Sequence, residues 1–182
     1  MHVFDSTRYG PSVARLLGDG SRLMPLMCPD CSSPQEHQMI MNASVRDLFP
    51  QSSDTTAAMA GLWLYFSCFE EAHDLVSKSE TRECELWHAI LHRQEPDAGN
   101  AAYWFRKVGM HPTFSSISQA AILVLEKYPH VEFRAGKWDP FAFIAFCERA
   151  RTQPGSAQEQ AALEIQRVEW QILFDYCARP PQ

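Results

Sequence analysis

Residues 81–112 read TRECELWHAILHRQEPDAGNAAYWFRKVGMHP. Two helices and their stops are legible in this stretch. The first runs from about 81 to 94 or 95, and ends where Pro96 disfavours helical backbone at the residue before it. Asp97 is placed to cap a second helix over 98–108. Gly109 then supplies a left-handed stop, and Pro112 follows three residues on.

The same punctuation continues outward from this pair. Upstream, Asp54 or Thr55 caps a long helix to about 77, with Leu62, Phe66, Phe69, His73 and Val76 spaced 4, 3, 4, 3 along one face. Residues 78–80 make a tight turn between this helix and the next. Downstream, a helix over about 113–127 carries Ile117, Ala120, Ala121, Val124 and Leu125, and Tyr128-Pro129 ends it. Residues 130–137 are either a short extended piece or a loop. Asp139-Pro140 opens a helix to about 152. Pro154-Gly155 breaks the chain, and Ser156 caps a last helix to about 178, with Ala161, Ile165, Val168, Ile172 and Tyr176 on one face. Toward the N-terminus, short helices over 11–17 and 44–49 flank a proline-rich loop at 20–36. The expected fold is all-α: a helical bundle of roughly five long helices plus short N-terminal helices and an irregular N-terminal loop. It forms a single helical domain over 1–182, with irregular cover at 1–53 and a helical core at 54–178.

Bulk composition narrows the function classes. A net charge of −6 and 21% charged residues fit an ordinary globular chain and run against a polyanion binder, so no nucleic acid is expected as partner. The most apolar stretch, 57–69, is too short to span a bilayer, and the first residues lack the pattern of a secretory signal. A soluble, cytoplasmic protein with no membrane contact is the expectation, with a homo-oligomer left open. Of six cysteines, Cys68, Cys84, Cys147 and Cys177 fall in helix-like segments and read as reduced core thiols. Cys28-Pro-Asp-Cys31 has CxxC spacing, but it lacks both the βαβ context of a redox pair and the second pair of a zinc knuckle.

The chemistry lies between Glu70 and Phe114. Spacings of 3, 4 and 3 put Glu85, His88, His92 and Glu95 on one helical stripe. If the preceding helix folds back about Ser79, His73 lies level with Glu85 and Glu70 with His88. Three imidazoles, His73, His88 and His92, then face one point between neighbouring helices. Imidazole suits Zn, Fe or Ni, so the expected cofactor is one divalent metal on those three residues, with Glu70, Glu85 or Glu95 as fourth ligand or general base. The units Glu70–His73 and Glu85–His88 also match half of a di-iron bundle. The remaining carboxylates would have to come from Glu126, Glu148 or Glu164. Next to this face, Arg93, Asp97, Asn100, Tyr103, Trp104 and His111 are candidate ligand-binding residues. Arg106 is suited to a carboxylate or phosphate.

The stretch WHAILHRQEPDAGNAAYWFRKVGMHPTF, with EEAHDL upstream, resembles a family of uncharacterised bacterial and fungal proteins. Their shared pattern is an EAH-like segment followed by WHAxxHRxEPDxxNAxYWFRxVGxHPxF. It covers about a quarter of the chain and leaves Cys28 and Cys31 outside. The resemblance implies no particular reaction. It implies that His73, Trp87, His88, His92, Arg93, Glu95, Asp97, Asn100, Tyr103, Trp104, Arg106 and His111 belong together.

Three functions fit these residues. The first is a metal-dependent or acid–base enzyme acting on a small polar or anionic molecule, with Glu95 or Glu85 moving the proton and Arg106 holding the anion. The second is a non-catalytic ligand- or protein-binding helical module built on Trp104, Arg106 and His111. The third is a buried polar network that only fixes helix packing.

Overall fold

A computed structural model describes residues 3–27, 31 and 34–179. The described residues form ten α-helices and a short 3₁₀ turn, Ser6–Tyr9, with no strand. In order, the helices are α1 (Pro11–Leu17), α2 (Pro34–Asn42), α3 (Val45–Leu48), α4 (Thr55–Tyr65), α5 (Phe69–Val76), α6 (Arg82–Gln94), α7 (Ala98–Val108), α8 (Phe114–Leu125), α9 (Pro140–Ala150) and α10 (Ala157–Ala178).

Side-chain caps set most of the helix starts. Asp54, Thr81, Asp97, Asp139 and Ser156 each accept a hydrogen bond from a backbone N–H in the first turn of the helix that follows. Each such cap contributes roughly 1 kcal/mol. Asp54 also accepts from Thr81 Oγ1 at 2.7 Å, which ties the start of α4 to the start of α6. Gly109, at φ +63°, ends α7 as expected.

α4 is apolar all round, and every residue from Ala57 to Tyr65 is buried. It lies between α10 and α6. At Gly61 a Cβ would sit 2.7 Å from Trp87 Cζ2 and 3.2 Å from Phe174 Cδ2, so only glycine lets these three helices approach so closely. Trp170 Nε1 donates to the Gly61 carbonyl at 2.8 Å at the same crossing. α6 is buried from Cys84 to Gln94, and its most extensive contact is with α7. α5 and α6, expected as neighbours about Ser79, pack against each other.

Four expectations need correction. The long helix over 54–77 breaks at residues 66–68, where Ser67 takes φ +58° and α5 starts in a new direction. Residues 34–42, expected in the proline-rich loop and its flank, form α2, with Pro34 as its first residue rather than a breaker. Cys68 is not a reduced core thiol, because it is disulfide-bonded to Cys31. Tyr176, expected on the core face of α10, is exposed, whereas Trp170 and Phe174 are core. Cys28, the other half of the CxxC spacing, lies outside the described residues. Cys84, Cys147 and Cys177 are free and buried as expected. Residues 130–137 form an extended loop, with Val131, Phe133 and Ala135 buried and the residues between them exposed. No helix among the described residues is long and apolar enough to cross a membrane.

Candidate metal centre

α5 and α6 bring the three histidines together. One ring nitrogen from each of His73, His88 and His92 falls within a set whose members all lie within 4.8 Å of one another. His88 Nε2 is 3.2 Å from His73 Nε2. The rings of His88 and His92 are stacked one helical turn apart, with centroids 4.8 Å apart, and His73 meets both edge-on. Nitrogens bound tetrahedrally at about 2.0–2.1 Å from one ion are roughly 3.3 Å apart. The 73–88 pair already has that spacing, and the nitrogen of the third lies within 4.8 Å of both.

Polar and aromatic neighbours surround the rings. Glu95 Oε2 sits 2.8 Å from His92 Nδ1, a contact that favours the ring proton on that nitrogen. Asn100 Nδ2 lies against the same ring, 3.0 Å from Nε2. Trp104 stacks on His88 with centroids 3.9 Å apart. The ammonium of Lys107 sits 4.9 Å from the Trp104 ring centre. Burial, the neighbouring His92 and His73 and the Lys107 charge push the His88 pKa down to about 4. His88 is therefore a neutral imidazole at ordinary pH, the form that ligates metal. Its Nδ1 is buried with no hydrogen-bond partner.

The structure separates the other candidates into several groups. Glu95 and Asn100 stand beside His92, and Trp104 walls His88. Glu85 does not join the imidazoles: it pairs with Lys107 at 2.7 Å, and that hydrogen bond raises the pKa of the ammonium. No carboxylate oxygen joins the set of three among the described residues. Glu70 is exposed on the first turn of α5. Asp97 is spent on capping α7, bonding the Asn100 N–H at 3.0 Å. Tyr103 is exposed, with its ring edge on Trp104.

Three residues are not brought to the cluster at all. Arg93 follows His92 and so turns about 100° away around the helix. It is fully buried against α10, where it donates to Glu169 Oε1 at 3.1 Å and Oε2 at 2.5 Å and to Gln166. His111 is buried at the opposite end of α6, with Nδ1 2.7 Å from Thr113 Oγ1. Its Nε2 is 3.6 Å from Glu83, and this contact holds the Glu83 carboxyl below its ordinary range. Arg106 is exposed on the far side of α7 from Trp104 and lines a separate groove. The di-iron alternative loses its outer carboxylates. Glu164 is bonded to Lys127 and Tyr128, Glu148 to Arg151, and Glu126 is exposed at the end of α8.

Lys107, Glu169 and Gln166 matter here and were not among the sequence candidates. Lys107 was within reach, because it lies three residues beyond Trp104 on the same stripe of α7. Glu169 and Gln166 carried no signal, since their partner is more than seventy positions away.

Comparison with protein-family models, with curated proteins and with solved structures finds no match for this chain.

Proposed function

We propose that this chain is a metal-dependent protein whose centre is His73, His88 and His92, and that it acts on a small polar or anionic molecule. The observation that carries this reading is the convergence of three imidazole nitrogens within 4.8 Å in a pocket where one ring is held neutral. A carboxylate orienting a ligating histidine through its second nitrogen, as Glu95 does for His92, is the usual support of such a centre. A divalent Zn, Fe or Ni ion fits an all-imidazole set, and would act as a Lewis acid on a water or a polar group at the remaining position. In this reading Glu95 orients His92. Glu85, tied to Lys107, keeps that cation over Trp104 rather than moving a proton itself. The likeness to proteins carrying WHAxxHRxEPDxxNAxYWFRxVGxHPxF belongs to the same proposal, because this motif supplies two of the three imidazoles and their support. So does a cytoplasmic location, against which the Cys31–Cys68 bond counts, because such bonds persist mainly in oxidising compartments.

The rival is a buried polar network without metal, and the 3.2 Å contact between His88 and His73 favours it, since one ring can donate to the other. Elemental analysis of protein purified without a histidine tag separates the two. Near-stoichiometric metal that disappears in the His88→Ala/His92→Ala double variant supports the centre. A folded wild-type chain that takes up no Zn, Fe or Ni on dialysis against each overturns it.

A further inference from the structure

A second site lies on the other side of α7 from the histidines, and it does not depend on them. A groove of about 740 Å³ runs between the end of α7, the loop before α9 and the first turn of α9. This size falls within the range of small-molecule sites. Its walls are aromatic: Phe105, Phe114, Trp138 and Phe141 all line it. Phe141, 42% exposed, and Met110, 67% exposed, leave apolar surface open at its mouth.

Three cations, Arg106, Arg134 and Lys137, line the same groove. None of them has an ion-pair partner among the described residues, although the chain carries a net charge of −6. The one acid in the lining, Asp139, is occupied as the cap of α9, accepting from Phe141 N at 2.9 Å and Ala142 N at 3.2 Å. Arg106 stands on α7, whose C-terminal end is fastened, and so is the loop that carries Arg134 and Lys137. Arg82 donates to the carbonyls of Val108 and Met110, and Ser118 Oγ donates to the Ala135 carbonyl at 2.5 Å. The backbone that carries the charges is therefore held in place around an apolar floor.

We infer that this groove binds an amphiphilic monocarboxylate, an apolar chain ending in one carboxylate, of the fatty-acid class. The aromatic walls take the chain, and the guanidinium forks of Arg106 and Arg134 match a carboxylate in two-bond geometry. The Asp139 carboxylate on the same rim repels a dianionic phosphate head more than a singly charged one.

The test is calorimetric titration of the full chain, freed of metal, with decanoate below its micelle concentration. Decanol and decyl phosphate serve as comparison probes. Saturable one-to-one binding of decanoate is expected, with decanol at least ten-fold weaker. The Arg134→Glu/Lys137→Glu variant changes only exposed loop side chains and should melt like the wild type. It should bind decanoate at least ten-fold more weakly. Phe141→Ala should weaken decanoate and decanol alike. Absence of saturable decanoate binding overturns the proposal. So does equal affinity for decanol, or undiminished binding by the charge-reversed variant. Tighter binding of decyl phosphate than of decanoate overturns the choice of carboxylate.

Discussion

His92 and Arg93 are neighbours in sequence, both buried, on different faces of α6, and the two faces handle polarity in contrasting ways. On the Arg93 face, a cation meets an anion: Glu169 takes two of its hydrogen bonds and Gln166 a third, with both charged side chains at 2% exposure or less. Gln166 in turn donates to the carbonyls of Met24 and Pro25, so the pair is knitted to the N-terminal cover. On the His92 face, three groups of one kind meet each other. The carboxylate beside them, Glu95, bonds His92 at Nδ1, and no carboxylate joins the set of three among the described residues. The first arrangement pairs its charges, with Arg93 Nε alone left without a hydrogen-bond partner on that guanidinium. The second is left with ligating capacity, which is why a metal is proposed for one face and nothing for the other.

The contrast can be broken from either side. The largest effect should come from Glu169→Ala, which strands a buried guanidinium. A loss of about 3–5 kcal/mol in urea unfolding is expected, with a smaller loss when Arg93→Met and Glu169→Leu are combined. If the single change costs no more than a surface substitution, Glu169 does not hold the buried charge of Arg93 as described. On the other face, Glu95→Gln should leave unfolding almost unchanged while weakening metal affinity by about 10–100-fold, read by competition with a chelator. Unchanged affinity would mean that the carboxylate does not support the centre.

Protonation gives the third effect. Free histidine takes a proton near pH 6.5, whereas folded His88 does so only near 4. Between these values the unfolded chain binds the proton and the folded chain does not. Metal-free stability should therefore fall as pH drops from 6.5 to 4, at no more than about 1.4 kcal/mol per pH unit for this group. Unfolding curves of the wild type and of His88→Gln, measured across that range, should diverge in slope; parallel curves would refute the effect. The smallest change belongs to Asp97→Ala. As a helix cap it should cost about 1 kcal/mol and leave metal affinity alone. A large drop in affinity would restore Asp97 to the site.

Helix ends were the most legible part of this chain, because caps and stops are local chemistry. Asp97, Gly109, Asp139-Pro140 and Ser156 mark real boundaries. The break at Ser67 was hidden, since Leu62, Phe66, Phe69, His73 and Val76 keep helical spacing straight through it, with no glycine or proline nearby to flag the turn. The Cys31–Cys68 bond was hidden for a different reason: pairing depends on where α2 and α3 carry the chain, and spacing does not report that. At the centre, the three histidines were legible because they needed only one turn about Ser79. Arg93 was misplaced because α6 is buried on every side, so its polarity pattern does not say which face meets which neighbour. Arg106 was readable in principle. It sits two residues from Trp104, about 200° around α7, and could not share its face.

The bond between Cys31 and Cys68 makes a closed ring of the chain between positions 37 apart, with α2, α3 and α4 strung on it. A protease that cuts once anywhere inside that ring releases nothing. The nicked chain stays one molecule, heavier by a water, and runs as two fragments only after a thiol reductant has acted. The N-terminal cover is thus fastened by covalent chemistry one residue before the helix that presents His73, even where its own peptide path is severed.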